Sequence, residues 1–282
     1  MSNIHSTAII EPGAKIGDNV IIEPYVVIKS TVTLGNNVTI KSHVYLDGNT
    51  TIGDGTVIWP GASIGTKAQD LKFRGETTYV KIGKNCEIRE YVTINSSCQE
   101  GSTVKVGDNC LIMAYCHIAH NCEIGNNIIM SNGSMLAGHV IIEDYAIIGG
   151  MTPIHQFVRV GEYAMVGGLS RITNDIPPYS LGGGVPYKLA GLNRIGLIRH
   201  NFPYAIRRDL TQAYKLTYKS GLHVTEALER IKAEIPPSRY VEHWMIFCQN
   251  SKRGLIGLHG SSCQKEEEEE EDYDERELLN IT

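Results

Sequence analysis

Aliphatic positions recur every six residues along most of this chain. Stepping by six from Ile4, the sequence reads Ile10, Ile16, Ile22, Ile28, Leu34, Ile40, Leu46, Ile52, Ile58 and Ile64, with no polar step. The series returns at Ile82, Ile88 and Ile94. It returns again at Val106 and runs through Ile112, Ile118, Ile124, Met130, Leu136, Ile142, Ile148, Ile154, Val160 and Val166 to Ile172. A smaller residue often stands four places after the aliphatic, as with Ala8, Ala14, Val20 and Val26 early and Val140, Ala146, Thr152 and Val158 late. Gly-Asp-Asn or Gly-Asn-Asn often follows, as at 17–19 and 125–127. These are turn residues that tolerate left-handed backbone.

An amphipathic helix would repeat every 3.6 residues and a half-exposed strand every two. A period of six with turn residues predicts a short strand, a corner and another short strand. Three such sides close one coil of about eighteen residues, and coils stack as in other solenoids, at roughly 4.8 Å. The expected fold class is therefore mainly β, a parallel β-helix over 1–178 with one aliphatic per side filling a narrow triangular core. The phase fails at 65–81 and 95–105, both polar, so both are expected to loop out and mark a functional face. The Gly-rich stretch 179–202 is expected to be an irregular connection. Residues 203–258 predict a small α-helical domain, with helices at Ala205–Tyr218 and Val224–Ile235 and a third near 238–252 after Pro236-Pro237.

Charge changes the picture only at the end of the chain. The formal net charge is −5, but residues 265–282 hold ten acidic and two basic residues, leaving about +3 for the rest. The segment 259–282 is expected to be a solvated, disordered acidic tail. A mildly basic body suits an anionic partner. No apolar run approaches the ~20 residues of a membrane span, and the N-terminus lacks the shape of a secretory signal. A cytoplasmic protein with reduced cysteines is expected. Nothing calls for nucleic acid, a cofactor or a metal.

The coil phase also sorts candidate chemistry. Cys116-His117-Ile118-Ala119-His120-Asn121-Cys122 has the look of a zinc site. Yet Cys86, Cys110, Cys116 and Cys122 all fall four places after an aliphatic, the small inward slot, and are expected to be buried filler. His117, His120, His139 and His155 fall in outward slots on neighbouring coils. His120, Gly138 and Gln156 are eighteen apart and form one column, with bare backbone at Gly138 directly over His120. A histidine base beside an exposed N–H is what acyl transfer requires. No serine, threonine or cysteine stands out as a covalent nucleophile, which favours direct attack of an acceptor hydroxyl on a thioester.

The hexad resembles the hexapeptide-repeat acyltransferases, whose coil is left-handed. Longer motifs are similar to the UDP-N-acetylglucosamine O-acyltransferase family of lipid A biosynthesis. They are Gln69-Asp70-Leu71-Lys72, His117-Ile118-Ala119-His120, Leu136-Ala137-Gly138-His139, Ile148-Gly149-Gly150-Met151-Thr152, His155-Gln156-Phe157, Asp175-Ile176-Pro177-Pro178-Tyr179, Ala213-Tyr214-Lys215-Leu216 and Arg253-Gly254-Leu255-Ile256. The likeness covers about 4–258. It implies a homotrimer with sites between subunits, an acyl carrier protein as donor and the 3-hydroxyl of UDP-N-acetylglucosamine as acceptor. It implies His120 as general base and Gly138 as oxyanion donor. Asp70 and Lys72 would hold the sugar and acyl region. His139, His155 and Gln156 would contact the nucleotide sugar, and Arg199 its phosphate. Asn193 and Gly150 would touch the pantetheine arm, while His117 and Gly168 line the acyl channel. The C-terminal helices would help to dock the carrier protein.

Three positions depart from the family pattern. Asn121 stands where many members carry an acid, Ile195 where a Glu is common, and His200 where a second arginine follows Arg199. Acylation of a 3-amino sugar nucleotide, a β-helical zinc carbonic anhydrase and a non-enzymatic scaffold are the competing readings.

Overall fold

The computed structural model describes residues 2–258. The acidic stretch read at 259–282 lies outside them. Twenty-five short parallel strands, most of two residues, wind into three sheets. The first sheet takes strands from Asn3–Ile4 to Met165–Val166, the second from Ile9–Ile10 to Pro153–Ile154, and the third from Lys15–Ile16 to Arg159–Val160. Away from the two loop-outs each strand residue pairs with the one eighteen further on, as Ile4 does with Ile22 and Ile118 with Leu136. The aliphatic series and its small partners fill the prism, and Ile22, Ile40, Ile58, Ile88, Ile118 and Ile148 are at most 1% exposed.

The loop-outs are shorter than 65–81 and 95–105. Ser63–Thr66, Tyr79–Ile82, Thr93–Asn95 and Thr103–Val106 all stay in the sheets, leaving only 67–78 and 96–102 outside. Polar strand residues such as Lys81 and Lys105 face solvent while Val80 and Val104 face in, which hides these strands from a search on polarity. Register jumps from Ser63 to Thr93 and from Thr93 to His117. The chain therefore spends two extra hexads in the first loop and one in the second, and the aliphatic phase returns intact.

The turn reading holds at the final asparagine of each triplet and not at its glycine. The left-handed residue is the third after the aliphatic, as at Asn19 (φ 56°), Tyr91 (φ 56°), Asn121 (φ 56°), His139 (φ 61°) and Phe157 (φ 64°). The glycine of Gly-Asp-Asn serves close approach instead, since a Cβ on Gly17 would lie 2.5 Å from the Gly35 carbonyl oxygen. Left-handed backbone costs a non-glycine residue about 1–2 kcal/mol. Stacking between coils offsets it: Tyr91 on Tyr115, Tyr145 on Tyr163 and His139 on Phe157, with centroids 5.3, 4.6 and 4.6 Å apart.

Residues 179–202 are ordered, unlike the irregular connection expected. Ser180–Gly183 adds to the first sheet, and Lys188–Leu192 returns antiparallel beside it. A short helix α1 follows at Arg194–Arg199, capped by the Asn193 side chain on the Gly196 N–H. The other two sides of the coil finish in single bridges, Ile154 with Ile172 and Val160 with Ile176. Helices α2 (Tyr204–Tyr218), α3 (Val224–Glu234) and α4 (Arg239–Gln249) then pack on one another. Their core holds Leu210, Ala213, Ile231, Val241, Trp244 and Phe247, and the Trp244 indole N–H donates to the Thr217 hydroxyl.

One charged cluster fastens this unit to the coil. His243 on α4 lies 2.9 Å from Glu143 and 3.3 Å from Glu162, and its Nδ1 is 3.0 Å from the Tyr179 hydroxyl. Burial works against the charged imidazole, but the two carboxylates overcome it and raise its pKa to about 9. No helix among the described residues is long and apolar enough to cross a membrane.

Candidate functional site

The edge between the second and third sheets carries the densest chemistry. His120 occupies the corner after strand His117–Ile118, and Gly138 the same corner one coil on. A Cβ on Gly138 would fall 2.3 Å from His120 Cε1, so only glycine lets the ring lie flat against the next coil. The Gly138 N–H meets no acceptor among the described residues, whereas its carbonyl accepts from the Phe157 N–H.

His120 is held from both sides. Its Nδ1 lies 3.0 Å from Asn121 Oδ1 and its Nε2 3.6 Å from Asp70 Oδ2. An amide oxygen can only accept, so Nδ1 carries the proton and Nε2 keeps its lone pair. Asp70 comes from the first loop-out. The Lys72 backbone N–H donates to its Oδ1 at 2.8 Å and is the chief reason its pKa lies below the usual carboxylate range. The Lys72 side chain points outward and is exposed.

The second loop-out contributes a residue that the sequence reading missed. Cys98 donates its thiol to Asn121 Oδ1 at 3.0 Å, its N–H donates to the same oxygen at 3.2 Å, and its Sγ is 3.4 Å from His120 Nδ1. Burial, helped by Asp70, pushes the thiol up to about 11, so it is a protonated donor at neutral pH. Cys98 stands four places after Ile94, the same count that sends the other cysteines inward, but the chain leaves the coil after Asn95 and carries Cys98 to the site instead. The others behaved as expected: Cys86, Cys110, Cys116 and Cys122 are at most 2% exposed and point inward.

His139 packs edge-on to His120 at 5.3 Å and lies flat on Phe157. His117 faces outward from its strand and hydrogen-bonds the Thr93 hydroxyl at 2.8 Å. Burial is the chief cause that lowers the pKa of both, the neighbouring His120 adds to it, and Asp70 opposes it at His139. His155 and Gln156 are exposed one coil further along the same edge. Beside them opens a cleft of about 650 Å³ lined by Asn121, His139, Phe157, Arg159, Lys252 and Arg253.

The remaining predicted residues lie elsewhere on the chain. Gly150 and Gly168 stack on the edge between the first and second sheets, where a Cβ on Gly168 would be 3.2 Å from the Gly150 carbonyl oxygen. Asn193 lies by the third edge. Its amide N–H donates to the Tyr163 carbonyl at 3.0 Å while its Oδ1 caps α1. Arg199 closes α1 and is exposed, and His200 sits edge-on to Tyr145 and Tyr163. One chain thus gathers Asp70, His117, His120, Gly138 and His139, and leaves Gly150, Gly168, Asn193 and Arg199 on other edges of the prism.

Comparison with known proteins gives the family. A family model described as bacterial transferase hexapeptide (six repeats) matches residues 31–66 and 103–138, and one described as UDP-N-acetylglucosamine O-acyltransferase, domain 2, matches 175–256. The acyl-[acyl-carrier-protein]–UDP-N-acetylglucosamine O-acyltransferase of Chlamydia caviae is 56% identical over 273 residues, 96% of this chain and 98% of that one. The chain belongs to the UDP-N-acetylglucosamine O-acyltransferase family.

Solved members of that family share the architecture, a left-handed parallel β-helix followed by a small helical unit. The UDP-N-acetylglucosamine acyltransferase of Bacteroides fragilis aligns with a TM-score of 0.87 and 43% identity, over 90% of this chain and 99% of that one. The Arabidopsis acyltransferase aligns at 0.78 and 33%, over 89% and 99%. The helical unit of this acyltransferase is thus a family feature, as is the repeat.

Proposed function

We propose that this acyltransferase moves a fatty acyl chain from acyl carrier protein to the 3-hydroxyl of UDP-N-acetylglucosamine in the cytoplasm, the first step of lipid A biosynthesis. The observation that carries the reading is the pairing at one corner: a histidine with Nδ1 tied down and Nε2 free, lying against a glycine whose N–H is unspent. The acceptor hydroxyl gives its proton to His120 Nε2 as its oxygen bonds to the thioester carbonyl carbon. The carbonyl oxygen becomes an oxyanion, and the Gly138 N–H donates to it. As the intermediate collapses, the carbon–sulfur bond breaks, and the departing thiolate recovers the proton from His120. Ionised Asp70, with Lys72, orients the sugar. His139, His155 and Gln156 line its approach, and the neighbouring cleft, where Arg159, Lys252 and Arg253 outnumber Glu123 and Asp175, suits a sugar nucleotide.

The scatter of the other residues supports a homotrimer. Gly150, Gly168, Asn193 and Arg199 can meet the His120 corner only if a neighbour brings its own different edge to it. In that arrangement Asn193 and Gly150 flank the pantetheine arm, Arg199 binds phosphate, and His117 with Gly168 lines the acyl channel.

Replacing His120 by Ala tests the base. Turnover should fall by roughly 10² or more with an unchanged melting temperature, because the ring lies outside the core. Ordinary turnover in that variant would remove His120 from the reaction. The product ester should yield to mild alkali, whereas a base-stable amide would shift the acceptor to a 3-amino sugar. A monomeric mass in an active preparation would remove the shared-site reading.

A further inference from the structure

Cys98 serves neither the coil core nor the acyl-transfer steps, yet its sulfur stands among the site histidines. Cys98 Sγ and one ring nitrogen each of His120 and His139 lie within 4.8 Å of one another. From these positions we propose that Cys98, His120 and His139 form a binding site for a soft divalent transition metal, zinc above all, and that the metal inhibits the enzyme.

The donor set fits such an ion. Zinc takes thiolate sulfur at about 2.3 Å and imidazole nitrogen at about 2.0–2.1 Å, so two tetrahedral ligands of these kinds stand about 3.6 Å apart. Cys98 Sγ and His120 Nδ1 are already 3.4 Å apart. His139 brings a ring nitrogen within 4.8 Å of the other two ligand atoms, and half-buried positions limit competition from water. Ionised Asp70, 3.6 Å from the far nitrogen of His120, adds negative field next to the cation. One thiolate and two imidazoles leave the fourth position open, and they favour zinc or copper over magnesium or calcium.

Inhibition follows from proton placement. In the resting site the His120 proton sits on Nδ1, facing Asn121 Oδ1. A metal on Nδ1 takes that lone pair and drives the ring proton to Nε2. The Cys98 S–H loses its proton to solvent as the metal–sulfur bond forms, so binding releases one proton in all. Nε2 then carries hydrogen and cannot accept one from a hydroxyl. The metal need not occlude substrate to stop turnover.

This inference rests on His120 as the base for its inhibitory half only, so binding and inhibition are measured separately. The chain has a seventh cysteine, Cys263, outside the described residues. Both experiments therefore use full-length protein carrying Cys263→Ser. Titration with Co²⁺ alone, without donor thioester, should give a near-ultraviolet thiolate-to-cobalt charge-transfer band that saturates at one ion per chain. Cys98→Ser should abolish the band, and His139→Ala should weaken binding at least tenfold. Absence of the band, or its survival in Cys98→Ser, would overturn the site. Zn²⁺ should inhibit the Cys98-containing enzyme at least tenfold more potently than Cys98→Ser, each scored against its own uninhibited rate. Equal potency would overturn the inhibition. A saturated cobalt band with undiminished turnover would also overturn it, and would count against His120 as base while sparing the ligands.

Discussion

The coil and the helical unit bury their apolar side chains by opposite strategies. In the coil, every side meets the same requirement with one aliphatic and one small residue, and each turn rests only on its neighbours. The helical unit has a single core of unlike residues, Trp244, Phe247, Leu210 and Ile231 among them, which takes in Tyr163 and Tyr179 at the end of the coil and is fastened there by the charged His243 cluster. Inward and outward slots in the coil are cleanly separated, so its outward residues are free for chemistry. In the helical unit most large side chains are committed to packing. The comparison predicts that damage to one region changes activity without stability, and damage to the other changes stability first.

The largest effect is expected from Trp244→Ala. Removing a fully buried indole costs about 3–5 kcal/mol and leaves the Thr217 hydroxyl without its donor. Limited proteolysis should release fragments from the region after residue 203 while the coil stays resistant. Equal loss of both regions would mean that they unfold as one unit. Next is Gly138→Ala. The added methyl displaces the His120 ring without straining backbone, since Gly138 has no positive φ. Turnover should fall by roughly 10–10² at a constant melting temperature. A normal rate would mean that the ring tolerates displacement and that the bare backbone is not needed.

These two predictions also mark what was legible in the sequence. The coil could be read because its pattern is repeated, and each hexad confirms the next. Inward cysteines and outward histidines followed from phase alone. Phase alone would have misplaced Cys98, which stands four after Ile94 like the inward cysteines; its contact with Asn121 is set by tertiary folding. The hairpin at 180–192 was hidden by its glycines, which weaken strand propensity. Helix α1 is a six-residue element with a glycine inside it, too short for periodicity to appear. That the donor-side residues fall on different edges becomes visible only once the coil is closed.

A smaller effect is expected from pH. The folded-state pKa of His243, about 9, lies above the ordinary 6.5. Its stabilisation is therefore fully present below about pH 6.5 and is lost as pH rises through about 9. The amount is about 2 kcal/mol once partial exposure is allowed for. The melting temperature of the helical unit should fall between pH 7 and 9.5, and His243→Gln should lower it at pH 7 and flatten that slope. An unchanged slope would move the origin of the pH dependence elsewhere.

The smallest effect concerns Asn121→Asp. A carboxylate at the same corner still accepts from His120 Nδ1, and it adds charge that stabilises the imidazolium formed in the transition state. Turnover at neutral pH should hold or rise, and the acidic limb of the pH–rate profile should move to higher pH. An unmoved limb in a normally folded variant would leave Asn121 only its contacts with the Cys98 loop.

The reversal of direction at 188–192 has a consequence for the molecule as a potential polymer. A parallel coil is a growing filament in miniature: its last turn presents a template on which another turn of the same polarity could be laid. Any second molecule that offers a matching first turn could add there, head to tail. The antiparallel return of Lys188–Leu192 occupies the edge of the first sheet with a strand of the wrong polarity, and the single bridges at Ile172 and Ile176 leave the other two sides almost nothing to extend. The hairpin thus acts as a terminator of elongation. A chain ending at Val166 would keep the template and lose the stop, and it should assemble into fibres where the full chain does not.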